Sequence, residues 1–137
     1  MDEHVNLTGI LKLIVVQARV TRSLDYFGEQ DPYFILKYFC LDRADYDKHS
    51  TKDKFLLEKM DPKLKAESKV LYEGGKEPFW NQQFDVPVSI DFKLDNDMAV
   101  VDKSTKHFFI IKLMDKDPFF DDHIGSAFID CTYLLAR

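Results

Sequence analysis

Residues 107 to 131 read "HFFIIKLM DKDPFFDD HIGSAFIDC", an apolar run, an acidic centre and a second apolar run. The first run, 107 to 114, is β-branched and aromatic and is too short for a buried helix, so it predicts a buried strand. The last, 123 to 131, predicts another. Between them, four aspartates and a proline bracket the adjacent phenylalanines Phe119 and Phe120. The segment is therefore a strand–loop–strand unit, and two of the most apolar side chains sit in its most acidic part.

Working outward, the same grammar repeats. Residues 9 to 18, "GILKLIVVQA", carry apolar side chains on both alternating faces and predict a buried strand, as do residues 31 to 40, "DPYFILKYFC", which start at an Asp-Pro turn. Residues 67 to 74, "ESKVLYEG", predict a further strand. In "FWNQQFDVPV", 79 to 88, Trp80, Gln82, Phe84, Val86 and Val88 fall on one face and Asn81, Gln83, Asp85 and Pro87 on the other. Trp80 belongs to the core on this reading, and Pro87, which lacks an N–H, marks an edge or the strand's end. Residues 89 to 105 read as a polar loop with a short "MAVV" core.

Six strands without a long helix predict an all-β antiparallel sandwich in a single domain over 1–137. The interruption is a charged insertion at about 41–65. Within it Ser50 is placed to cap a short helix over roughly 51 to 60, with Asp53 at its third position. Phe55, Leu56, Leu57 and Met60 would dock that helix on the sheet. The run from Asp45 is no EF-hand, because its sixth residue is Ser50 and its twelfth Leu56 where glycine and glutamate are needed.

A formal charge of −5 and lysines interleaved with acids exclude a nucleic-acid partner read through a basic stripe. Cys40 and Cys131 lie singly in apolar runs, which predicts buried thiols in a reducing compartment. No apolar run approaches the roughly 20 residues of a membrane-spanning helix. Catalysis is not expected: no nucleophile–base array or phosphate-cradling loop is present. His123 has no second His or Cys nearby and reads as a solvated loop histidine.

Two loops carry spaced carboxylates: Asp25 and Asp31 around Gly28, and Asp115, Asp117 and Asp122 in the opening stretch. Hard cations such as calcium take about 6 to 8 oxygen ligands, and alternate side chains at an extended strand end share a face. Read together, "LKLIVVQA", "LDYFGEQDPYF", "GGKEPFWNQQFDV" and "IIKLMDKDPFFDDHIGSAFI" resemble the C2 domain in content and order. The resemblance implies an eight-stranded antiparallel sandwich of type II ordering, in which the last strand lies beside the first. Loops at one end of it bind calcium and dock on phospholipid.

Carried over by position, the metal ligands would be Asp25, Asp31, Asp115, Asp117 and Asp122. Carbonyls at Leu24 and Lys116 would contribute, with Asp121 as the substitute for Asp122. Tyr26, Phe27, Phe119 and Phe120 would contact the membrane. Two or three Ca2+ ions would add about +4 to +6 at the tip and turn its field toward an anionic phospholipid membrane.

The expected function is calcium-dependent membrane targeting of a larger protein that is cytoplasmic and reversibly membrane-associated. A calcium-independent protein-interaction or scaffold module is the alternative. Departures from the family pattern are the insertion, a third loop one residue shorter, and only six placed strands. The missing cover would come from a longer chain, from "MAVV", or from a second copy as a homodimer through an uncovered sheet edge. The 41–65 insertion is the expected surface for protein partners.

Overall fold

A computed structural model describes residues 4–19, 31–72, 74, 77–96, 98–102 and 104–132. Leu24, Asp25, Tyr26 and Phe27, expected in the first acidic loop, lie outside the described residues. Seven strands are described: β1 (His4–Gln17), β2 (Pro32–Asp42), β3 (Leu64–Glu67), β4 (Phe79–Asp95), β5 (Met98–Val101), β6 (Thr105–Asp115) and β7 (Asp122–Asp130). They form two antiparallel sheets, β1-β4-β5 and β3-β2-β6-β7. The all-β antiparallel sandwich predicted from the sequence is the observed fold.

Period-2 patterning sets the faces. Trp80, Val86 and Val88 of β4 are buried, Gln82 and Phe84 half-buried, and Asn81, Gln83, Asp85 and Pro87 exposed, as the alternation predicts. The inward side chains meet Phe34, Leu36 and Tyr38 of β2 and Phe109 of β6 in the main core. Phe34 packs edge-on against Trp80 across the sheets, ring centroids 5.0 Å apart. Asn81 has φ 47°, and the β1–β4 register shifts between Val15 and Gln17 opposite it. The left-handed residue sits in a bulge where β4 carries one more residue than β1.

Several boundaries differ from expectation, each for a local reason. The helix forms earlier than expected, as α1 (Arg43–His49), and a 3-10 helix follows over Lys54–Lys59. Asp53 is the N-cap of the 3-10 helix, accepting from the Phe55 N–H at 2.9 Å, and not a residue inside a 51–60 helix. The third strand runs over Leu64–Glu67, ahead of the expected 67–74, where Leu64 and Ala66 alternate with exposed Lys65 and Glu67. Beyond it the Lys69 carbonyl accepts from Trp80 Nε1 at 3.0 Å. Residues 68 and 71 still donate to Phe34 and Pro32.

Pro87 does not end its strand: β4 continues to Asp95 and turns at Asn96, φ 51°, into β5, the "MAVV" segment. Among the described residues the neighbour at Pro87 is β1 alone, because the β5 pairing starts at Phe92. The proline thus stands where one side of β4 has no ladder. β1 is not covered on both faces either. Leu11, Leu13 and Val15 pack inward, whereas Ile10, Ile14 and Val16 are exposed. Among the described residues β1 is an outer strand, and a cleft of about 380 Å³ opens beside it over Phe34, Trp80, Leu113 and Ile124. That edge is where the sequence reading expected a further strand.

The insertion builds a second, smaller core. Leu57, fully buried, joins Phe39, Phe108 and Ile110, with Tyr46, Phe55, Met60 and Phe128 packed around them. Leu56, expected to dock as well, is exposed. Glu58 then reaches Lys37 at 3.2 Å and Lys112 at 2.9 Å, pinning the 3-10 helix to β2 and β6. The Glu58 carboxyl stays below its usual range because the two ammonium groups outweigh the burial that would raise it.

Candidate functional site

The acidic loop is assembled by strand pairing. Pro32 faces Asp115 across β2–β6, and Asp115 faces Asp122 across β6–β7, so three strand ends lie side by side. This places Asp31, Asp115 and Asp122 at one end of the four-stranded sheet. Asp31 donates its N–H to Asp115 Oδ1 at 2.8 Å, and Lys116 donates its own to the Asp31 carbonyl at 2.9 Å. Asp115 is consequently buried, at 8% exposure, while Asp122 is exposed.

Between them the loop closes on itself. Asp117 Oδ1 accepts from the Phe119 N–H, and Asp121 Oδ1 accepts from the Asp117 N–H, both at 3.1 Å. The first is an Asx turn over Pro118. Asp121 Oδ2 accepts from the Tyr33 hydroxyl and lies 3.6 Å from Lys116 Nζ. Chiefly through the Tyr33 bond, the Asp121 carboxyl is held below its usual range, while burial and Asp121 push the Tyr33 phenol up to about 12. Both groups are held in the forms that make this bond at neutral pH.

Phe119 and Phe120 are 88% and 83% exposed, the most exposed large apolar side chains described. They stand at the tip, and neither folds back on the sheet. His123 is at the surface, hydrogen-bonded to Ser126 at 2.8 Å. Both described cysteines are free thiols, and burial pushes Cys131 up to about 12. Tyr33 was not singled out as functional in the sequence. The only signal was its place in "DPYF", one residue past the Asp-Pro turn.

The described donors at this end are oxygens, the set a hard cation prefers over a transition metal. Among the described residues no three His, Cys, Asp or Glu side chains converge as a metal cluster. Asp117 and Asp121 are instead turned to local donors. So the backbone brings the expected third-loop ligands and Asp31 to one end of the sandwich, with their carboxylates spread rather than gathered.

Comparison with known proteins bears on both fold and family. Human GIVD cytosolic phospholipase A2, solved with methyl γ-linolenyl fluorophosphonate, is similar over 97% of this chain at 21% identity, with a TM-score of 0.59. A second human GIVD cytosolic phospholipase A2 structure is similar over 91% of this chain at 22% identity, with a TM-score of 0.51. The chain spans only 14% and 12% of the length of those two chains. No curated protein sequence matches it significantly. The profile of the C2 domain matches residues 9–136, so nearly all of the chain is accounted for and it belongs to the C2 domain family.

Proposed function

We propose that this chain is a calcium-dependent, peripheral phospholipid-binding module that targets a larger, cytoplasmic protein to membranes. C2 membership supports a membrane-targeting, typically non-catalytic module in general. The observation that carries the reading further is the pair Phe119 and Phe120, largely exposed above a base formed by Asp31, Asp115 and Asp122. Moving one such ring from water into the acyl boundary contributes on the order of 1.5–3 kcal/mol. Exposed phenylalanines on an acidic tip are otherwise a liability.

Asp31, Asp115, Asp117 and either Asp122 or Asp121 would hold the ions, together with Asp25 of the first loop. When bound, calcium supplies positive charge where the bare loop is negative and takes up phosphate oxygens. Asp115, anchored by the Asp31 N–H, would fix the base, and the phenylalanines would supply apolar contact. Binding would be reversible, because an interfacial contact of two rings is far weaker than a spanning helix.

A second reading, a calcium-independent interaction module, is favoured by Asp117 and Asp121 being engaged by local hydrogen bonds. Sedimentation with phosphatidylserine-containing liposomes, with calcium and with chelator, separates the two. The proposal expects pelleting only with calcium. Equal pelleting in both conditions, or none in either, overturns it.

A further inference from the structure

We propose that Tyr33 is the positioning residue of the 115–122 loop: its hydroxyl holds Asp121, and through Asp121 the backbone of Asp117, so that Phe119 and Phe120 stand clear of the sheet. The inference rests on the lipid-binding reading for its purpose, but the clamp has its own geometry. Tyr33 is 7% exposed and sits in β2, one residue past the Pro32–Asp115 pair and opposite Met114. Strand pairing fixes where its ring can be.

From that fixed point a chain of hydrogen bonds runs out to the tip. The Tyr33 hydroxyl donates to Asp121 Oδ2, Asp121 Oδ1 accepts from the Asp117 N–H, and Asp117 Oδ1 accepts from the Phe119 N–H. The carboxylate of Asp121 thus bridges the sheet and the far side of the loop. Both of its oxygens are used, one for each.

The other contacts at Asp121 hold less firmly. The Lys116 ammonium is 3.6 Å away and half-exposed, and such pairs contribute little against side-chain entropy and salt. The Asp117–Phe119 turn is internal to the loop and moves with it. Among the described residues, the Tyr33 bond, a hydrogen bond to a charged acceptor, is the side-chain hydrogen bond that ties the Asp117–Asp121 unit to the rigid sheet. Without such a tie, two exposed phenylalanines would gain by folding onto nearby apolar surface. The clamp holds them presented, as a preorganised contact that need not be ordered on binding.

The test compares Tyr33→Phe, which removes only the hydroxyl, with Asp121→Ala and the double variant in the intact chain. Amide hydrogen exchange is read at Asp117 and Phe119, and partition onto phosphatidylcholine–phosphatidylserine vesicles is read in calcium. Tyr33→Phe is expected to speed exchange at Asp117 by about tenfold and to weaken vesicle binding several-fold. In the Asp121→Ala background it should change neither, because its only route is through that carboxylate. A purely structural role for the hydroxyl would give additive losses in the double variant, and that result overturns the inference. Unchanged Asp117 exchange in Tyr33→Phe overturns it too. If the parent chain binds no vesicles, the lipid-binding reading fails while exchange still decides the clamp.

Discussion

The Asp31 N–H donates to Asp115 Oδ1 at 2.8 Å, joining the residue that ends the first acidic loop to the one that begins the third. Asp115 is therefore a structural acceptor as well as a candidate ligand, and the roles can be separated. Asparagine keeps an oxygen for the Asp31 N–H, whereas alanine removes it at a buried position. Asp115→Ala is expected to cost about 1–3 kcal/mol in urea unfolding, and Asp115→Asn distinctly less. Both should weaken calcium binding in titration calorimetry. Equal stability of the two variants would show that the bond contributes nothing.

The rings at the tip make the opposite prediction. Because Phe119 and Phe120 are almost fully exposed, the pair Phe119→Ser with Phe120→Ser should leave unfolding stability within about 0.5 kcal/mol of the parent. Calcium titration should be unaffected. Vesicle partition in calcium should fall by at least tenfold, since each ring contributes on the order of 1.5–3 kcal/mol on burial. Normal partition in the double serine variant would remove these rings from the contact.

What the sequence made legible, and what it did not, follows from how local each signal is. The β4 alternation was readable because side-chain period alone assigns its faces, and Trp80 duly lies against Phe34. Strand–loop–strand order gave the acidic loop, and pairing at Asp115 and Asp122 follows from it. The start of β3 was not readable, since "LKAE" has little apolar content and becomes a strand only by pairing with β2 at 35–38. Nor was α1 at 43–49, whose support is tertiary: Tyr46 packs edge-on against Phe108. Tyr33 was invisible because its partner lies 88 residues away.

The insertion should prove integral to the fold. Leu57 is fully buried among Phe39, Phe108 and Ile110, with Phe39 and Phe108 stacked at 4.9 Å. Truncating it leaves a cavity bounded by rings that cannot easily close in, so Leu57→Ala is expected to cost about 2–5 kcal/mol. Its neighbour Leu56, exposed, is the control: Leu56→Ala should stay within about 0.5 kcal/mol. Similar losses for both, measured by urea unfolding, would mean the 3-10 helix is not docked as described.

Acid should weaken the fold through one histidine before the carboxylates take part. His107 is buried with its Nδ1 2.7 Å from the Tyr38 hydroxyl, and desolvation lowers its pKa despite the opposing carboxylates of Asp91 and Asp130. With the folded value below the unfolded value of about 6.5, the unfolded chain binds more protons between the two, so stability rises with pH there. The neutral form's stability is fully present above about pH 6.5 and is lost as pH falls toward the folded value. Glu58 and Asp130, whose carboxyls are lowered in the fold, lose their contributions only below about pH 4. Urea unfolding between pH 7 and 5 should therefore lose up to about 1.4 kcal/mol per unit at the steepest point, the slope of one proton. His107→Gln is expected to flatten that slope whatever it does to the absolute stability. An unchanged slope in the variant would assign the acid sensitivity elsewhere.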